Sequence, residues 1–234
     1  MAEGPGSPAL TISVVIPTLN EDRRAPRLIE ALWRQGVDEV IVCDGGSSDD
    51  TVAAVVGEGA RVVFSRRGRG QQLRTGAAAA SGQVLWFLHA DVQVPEGAVA
   101  SLRRALSRDE VVGGAFTLHT VDDGGQVWGP ILRVADLRSR VTRYPYGDQG
   151  IFVRRAAYDA VGGFPELALM EDLAFSMALR AVGPTVTIGP SLVASGRRFG
   201  HRPLRAALSM WTFPTLWRLG VSPERLAAWY RDVR

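Results

Sequence analysis

The 234 residues allow one large α/β domain or two small ones, and a hydrophobic content of 46% permits a sizeable core. Cys43 is the single cysteine, which excludes an intrachain disulfide and a cysteine-based zinc site and fits a reducing, cytoplasmic setting. The net charge is only +3, no run of 18 apolar residues marks a membrane span, and residues 1–10 lack the basic and apolar regions of a signal peptide.

Residues 12–16 read as a short apolar strand, closed by Pro17-Thr18-Leu19-Asn20-Glu21. Helical spacing follows over 27–35, with Gly36 as a stop. Val40-Ile41-Val42-Cys43 is a second buried strand running into Asp44-Gly45-Gly46-Ser47-Ser48-Asp49-Asp50-Thr51, where glycines permit a tight turn and Ser or Asp can cap the next helix. Residues 61–64 form a third strand, and 70–80 a small-residue helix that can pack close to a sheet. Val84-Leu85-Trp86-Phe87-Leu88-His89-Ala90-Asp91 reads as one strand, buried on both faces and ending on a carboxylate. Strands alternating with helices over short turns predict parallel βαβ units with right-handed crossovers. Asn20, Asp44, Asp91 and the arginine loop at 66–69 then meet at one sheet edge, where open α/β sheets bind ligands.

The second half is more irregular. Helices are predicted over 95–106 and 127–140, and strands over 114–119 and 151–153. Tyr146-Gly147-Asp148-Gln149-Gly150 reads as a polar turn, and Met170-Glu171-Asp172 opens a helix over 173–181. A short strand covers 186–188, and an apolar helix covers 204–219. No repeat or linker divides the chain, so it reads as a single domain with a first half at 10–110, a second at 111–200 and a helical segment at 201–234.

The basic residues are arginines, clustered at Arg66-Arg67-Gly68-Arg69, at Arg197-Arg198 and along the C-terminus. Guanidinium forks suit phosphates. These runs lack the aromatic interleaving of a single-strand binder, and no nucleic-acid motif is present, so the pattern favours an anionic small molecule over nucleic acid.

Four motifs in order, Val15-Ile16-Pro17-Thr18-Leu19-Asn20-Glu21, Asp44 through Thr51, His89-Ala90-Asp91 and Met170-Glu171-Asp172, resemble the family-2 glycosyltransferases of GT-A fold. The resemblance spans residues 12 to about 200. Gly68-Arg69-Gly70-Gln71-Gln72, Gly147-Asp148-Gln149-Gly150 and Arg197-Arg198-Phe199 are similar to a compact bacterial subgroup, some of whose members are named arsenosugar-biosynthesis transferases.

The resemblance implies a Rossmann-like, mostly parallel nucleotide-binding sheet flanked by helices, with an acceptor-side second half. It implies an inverting transfer from a nucleotide-diphospho-sugar (UDP-, GDP- or dTDP-linked) to an unidentified acceptor, aided by Mg²⁺ or Mn²⁺. Asp91 is then the metal ligand. His-Ala-Asp stands where many relatives have Asp-x-Asp, so His89 is either a second ligand or, the reading preferred on residue type, a packed side chain. Pro17, Asn20 and Glu21 line the nucleotide pocket, with Thr18, Gly45, Gln72 and Ala90 beside them in the same motifs. Asp44 contacts base or ribose, or simply stabilises its turn; Arg66 and Arg69 approach the diphosphate. Asp172 is the general base, since inverting transfer needs a carboxylate to take the acceptor's proton. Glu171 orients the acceptor or supports the helix N-terminus. Asp148 contacts donor sugar or acceptor, or acts only in its turn, and Arg197, Arg198 and His201 belong to a segment that closes over the diphosphate.

A dinucleotide oxidoreductase shares the α/β start but would need Gly-x-Gly-x-x-Gly straight after the first strand, where this chain has Pro-Thr-Leu-Asn; two rivals stand closer. A nucleotidyltransferase should show a Gly-rich basic loop after the first strand, which this sequence lacks; a non-catalytic nucleotide-sugar-binding module would bind without turnover. In the helix at 204–219, Leu208, Trp211, Thr215 and Leu219 fall near one face, and that segment is expected to be mostly buried, against its own domain or a second subunit, rather than lying on a membrane.

Overall fold

The computed structural model describes residues 10–121, 129–141, 144–196 and 203–231. It opens with β1 (Ile12–Thr18), α1 (Ala25–Arg34), β2 (Glu39–Asp44), α2 (Thr51–Gly57), β3 (Arg61–Phe64), α3 (Arg69–Ala79) and β4 (Val84–Phe87). There follow β5 (Val92–Gln93), α4 (Ala98–Ala105), β6 (Gly113–Val121), α5 (Gly129–Val141), β7 (Phe152–Arg154), α6 (Arg155–Ala160), α7 (Glu171–Val182), β8 (Thr185–Ser195), α8 (Pro203–Arg218) and α9 (Pro223–Arg231).

All eight strands join one sheet in the order β3-β2-β1-β4-β7-β6-β8-β5. β1 through β4 are mutually parallel, with β1 between β2 and β4, as the alternating pattern predicts. β7 enters antiparallel between β4 and β6, and β8 runs parallel to β6. Alternate side chains of β1 and β4 feed two cores. Ile12, Val14, Ile16 and Trp86 pack under α1 and α4, while Val15, Leu85 and Phe87 pack under α3, α6 and α7. In the second core Phe164 stacks on Phe175 with ring centroids 4.2 Å apart, and Phe87 meets Phe164 edge-on at 4.8 Å.

Four expectations are corrected. The strand expected to reach Asp91 ends at Phe87. Phe87 N–H donates to Ile151 O, and beyond Ile151 the neighbouring chain turns away at Gly150 with φ 60°, so the ladder has no further partner on that side. The strand expected only at 186–188 extends over the whole of β8, because a bulge absorbs Gly189 and Pro190: Phe116 pairs with Ile188 and Leu118 with Leu192. α9 was not foreseen, although Ser222-Pro223-Glu224 is a helix-start pattern. Along α8 the stripe Leu208, Trp211 and Thr215, with Leu219 in the turn that follows, is exposed, and Ser209, Phe213 and Pro214 are buried instead. Apolar residues stand on both faces of this helix, so periodicity alone did not choose between them. Packing of Phe213 against Trp229 and Tyr230 of α9, at centroid distances of 6.5 and 6.4 Å, fixes the inner face.

The close fit of α3 gives a stability prediction. A Cβ on Gly76 would lie 2.4 Å from Val15 Cγ1, whereas one on Gly57 in α2 meets nothing within 4 Å. Gly76→Ala should therefore destabilise by about 1–3 kcal/mol despite its better helix propensity. Gly57→Ala should be neutral or stabilising by up to ~1 kcal/mol. Urea unfolding of the two variants checks this; equal midpoints would refute the close packing of α3 on β1.

Candidate active site

The ends of β1 and β2 are laced together. Asn20, at φ 56°, accepts from Ser48 N–H at 2.9 Å, and its own N–H donates to Ser47 Oγ at 2.9 Å. Glu21 N–H donates to Thr51 Oγ1 at 2.8 Å. Asp44 is buried and accepts from Gly46 and Ser47 N–H at 2.8 and 2.9 Å, from the Ser47 hydroxyl, and from Thr18 Oγ1 at 3.4 Å. Its carboxylate thus stabilises its own turn, a role that can stand together with a contact to base or ribose. Gln72 is buried beneath both loops, with its amide nitrogen on Thr18 O at 2.8 Å and Cys43 O at 2.9 Å. Gly45 leaves room for it: a Cβ there would sit 3.0 Å from Gln72 Nε2. Gln72 is a brace that fixes the relative height of the two strand ends. Pro17 is half-buried beside it, and Arg66 is exposed on the loop after β3.

A second group gathers around a cavity of about 130 Å³. Arg69, at the start of α3, forms an ion pair with Glu171 at the start of α7, across 102 residues of sequence. Glu171 is only 2% exposed and Arg69 30%. Burial works against the Arg69 charge, but Glu171 and Asp172 outweigh it and hold the guanidinium above its ordinary range. Arg69 Nη1 also lies 3.5 Å from His89 Nε2. His89 is buried and lines the cavity with Asp91, and Ala90 between them is buried. Asp172, the second residue of α7, accepts from Gly147 N–H at 2.8 Å and Leu173 N–H at 2.7 Å and borders the same cavity. An acid in the first turn of a helix is stabilised by the helix dipole. Each of its oxygens retains a second acceptor position.

Each residue of Gly147-Asp148-Gln149-Gly150 has a distinct task. Gly147 offers its N–H to Asp172, and a Cβ there would come within 3.1 Å of His89 Nε2. Asp148 Oδ2 accepts from Arg138 Nη2 at 3.1 Å, while Oδ1 is buried without a hydrogen-bond partner among the described residues. Gln149 donates to Phe116 O at 3.1 Å and Ser139 O at 3.2 Å, anchoring the turn to β6 and α5. Gly150 lies against Trp86, whose indole donates to its carbonyl at 3.1 Å.

Sequence reading missed Arg138, Tyr146, Met170 and the cavity wall contributed by Met210, Phe213, Pro214 and Tyr230. Arg138 stacks 3.9 Å above the Tyr146 ring, and burial pushes the Tyr146 phenol up against the opposing pull of Arg138. Met170 holds φ 69°, an uncommon conformation for a non-glycine residue, directly before Glu171 and Asp172. Only its position before the acidic pair could have drawn attention to it. Arg197, Arg198 and His201 lie outside the described residues.

Among the described residues no three His, Cys, Asp or Glu side chains form a metal cage. Asp91 is the carboxylate at the end of the β4 turn, and it suits a cation that takes its other ligands from donor phosphates and water, the usual mode of Mg²⁺. His89 lines the same cavity, with its Nε2 3.5 Å from Arg69 Nη1.

The glycosyl transferase family 2 model matches residues 13–163. Glucosyl-3-phosphoglycerate synthase of Mycobacterium tuberculosis is 39% identical over 97 residues, a stretch that covers 36% of this chain and 30% of that relative. The matched stretch is therefore under a third of the relative's length. Among solved structures, the mannosyltransferase PcManGT from Pyrobaculum calidifontis, in complex with GDP-Man and Mn²⁺, superposes with TM-score 0.66 at 19% identity, over 95% of this chain and 68% of its own. S. aureus TarS with UDP-GlcNAc gives TM-score 0.65 at 19% identity, over 80% and 59%. These two similarities establish the fold.

Proposed function

The chain belongs to glycosyl transferase family 2 and is a glycosyltransferase; from that premise we propose that it transfers a sugar, with inversion, from a nucleotide-diphospho-sugar to an acceptor hydroxyl. The observation that carries this reading is the placement of Asp172, Asp91 and Arg69 around one cavity. A base, an oxygen ligand and a guanidinium are the groups such a displacement needs.

In this reading the laced loops at Pro17–Glu21 and Asp44–Gly45 receive the nucleotide, and their internal hydrogen bonds hold that recess ready before binding. Arg66 extends from the loop after β3 towards the diphosphate. Arg69 cannot swing freely, since Glu171 fixes it, so it presents a charge of set position. The acceptor enters the cavity under α8 and α9. Asp172 takes its hydroxyl proton as the oxygen attacks the anomeric carbon and the bond to the leaving phosphate oxygen breaks. Asp148, which borders the cavity, would contact the donor sugar or the acceptor. Asp91 would hold Mg²⁺ or Mn²⁺, which when bound neutralises charge on the departing diphosphate. The relatives with GDP-Man and Mn²⁺ or with UDP-GlcNAc support this donor class.

Among the described residues no helix is long and apolar enough to cross a membrane. The reading sets the chain in the cytoplasm, where the buried thiol of Cys43 stays reduced. Thermal unfolding with UDP-, GDP- and dTDP-sugars and Mn²⁺ tests the donor. The matching donor at 100 times its Kd should add about 2.7 kcal/mol of stability, readable as a shift of roughly 5–11 °C. No shift with any of the three would count against the nucleotide-sugar reading; a shift without turnover towards any acceptor or water would favour a binding module.

A further inference from the structure

The outer face of α8 carries Leu208 and Trp211 at 63% and 46% exposure, Leu219 just past its end is 78% exposed, and Trp229 of the adjoining α9 is 47% exposed. Large apolar side chains grouped in this way mark an interaction surface. The helix cannot turn to bury them, because its other face is already committed: Ser209, Phe213 and Pro214 are buried, and Met210, Phe213 and Pro214 wall the cavity.

Charge identifies the occupant. Residues 201–234 contain six arginines against Glu224 and Asp232, a net of +4, while the other 200 residues contain 21 basic and 22 acidic side chains. The net positive charge of the chain therefore resides in this segment. Arg218 and Arg225 are exposed on the same two helices. A two-fold contact with a second copy would set these arginines against their own images, which like-charge repulsion disfavours. A bilayer surface accepts both features: Trp and Leu enter the headgroup boundary, and guanidinium forks engage lipid phosphates. We infer that the outer face of α8 and α9 seats peripherally on an anionic lipid surface, leaving the cavity on the opposite side of the same helix.

Flotation with vesicles of phosphatidylcholine alone, or of phosphatidylcholine with phosphatidylglycerol, tests this with the full chain. Co-flotation should occur with the anionic vesicles, weaken as salt rises and be absent with neutral ones. Leu208→Ser with Trp211→Ser should remove most of the bound fraction, and Arg218→Gln should weaken binding about five-fold. Leu208 and Trp211 are exposed, so the melting temperature of the double variant should hold; Leu219→Ser, just past the end of α8, supplies an independent variant if it does not. Failure to float at low salt, or equal binding to neutral vesicles, would overturn the inference. So would a dimer, seen by light scattering, that dissociates on the same double substitution.

Discussion

Asp172→Asn is expected to lower kcat by about 10²–10⁴-fold, the range for loss of a positioned base. The argument rests on location. Asp172 is buried at the start of α7, held by Gly147 and Leu173 N–H groups, and borders the cavity that also holds Asp91. Asparagine keeps the volume but loses an acceptor oxygen, so one of those two N–H groups would face an amide nitrogen. That mismatch alone should cost roughly 1–3 kcal/mol of stability. The two effects are separable. A melting curve reads the structural cost, and donor-induced stabilisation reads whether the nucleotide site survives. The expected result is a lower melting point, an undiminished donor shift and a collapse of kcat. If donor affinity falls and kcat is retained at saturation, Asp172 is a binding residue and the base lies elsewhere.

The first half was legible because parallel strands covered on both faces appear as unbroken apolar runs. Val40-Ile41-Val42-Cys43 and Val84-Leu85-Trp86-Phe87 are such runs, and both are strands of the sheet. The second half was less legible because its strands break that rule. β8 passes through Gly189 and Pro190, which read as a stop, and only the pairing with β6 across a bulge shows that the strand continues. α8 misled for a related reason. Its sequence offers apolar residues to either side, and the choice was made by Phe213 meeting α9, a partner 16 residues further along.

The site divides in the same way. Asp91, Asp172 and the loop at Asn20 could be found because acids and turn formers at strand and helix ends carry chemistry visible in one stretch of chain. What those side chains do to one another was hidden. Nothing local in Arg69 indicates Glu171, and nothing in Gln72 indicates the carbonyls of Thr18 and Cys43. Of the residues named as donor contacts, Asp44 and Gln72 also hydrogen-bond within the loops, while Asp91 and Asp148 border the cavity beside Asp172. Arg138 was the least visible: an arginine in a helix reads as solvent-facing until the fold buries it between Asp148 and Tyr146.

Asp91→Asn is expected to reduce turnover at least about 100-fold, since changes around a metal ligand already cost 10–100-fold and here the ligand itself is altered. The substitution should leave the fold intact, because Asp91 stands half-buried at the cavity edge rather than in either core. The size of the effect follows from how little else is at hand to replace the charge. His-Ala-Asp provides one carboxylate, not two. Among the described residues, the two guanidiniums that line the cavity are engaged, Arg69 by Glu171 and Arg138 by Asp148. Neutralisation of a leaving diphosphate would then depend on a cation held at Asp91, and a neutral carboxamide is a poor ligand for Mg²⁺ or Mn²⁺. Calorimetric titration of Mn²⁺ into the chain with UDP present should show a binding heat that the variant loses, together with its turnover. Thermal shift by the nucleotide without metal should be similar in both proteins. Turnover that persists in Asp91→Asn and in EDTA would remove Asp91 from the metal role and leave the diphosphate to arginines alone.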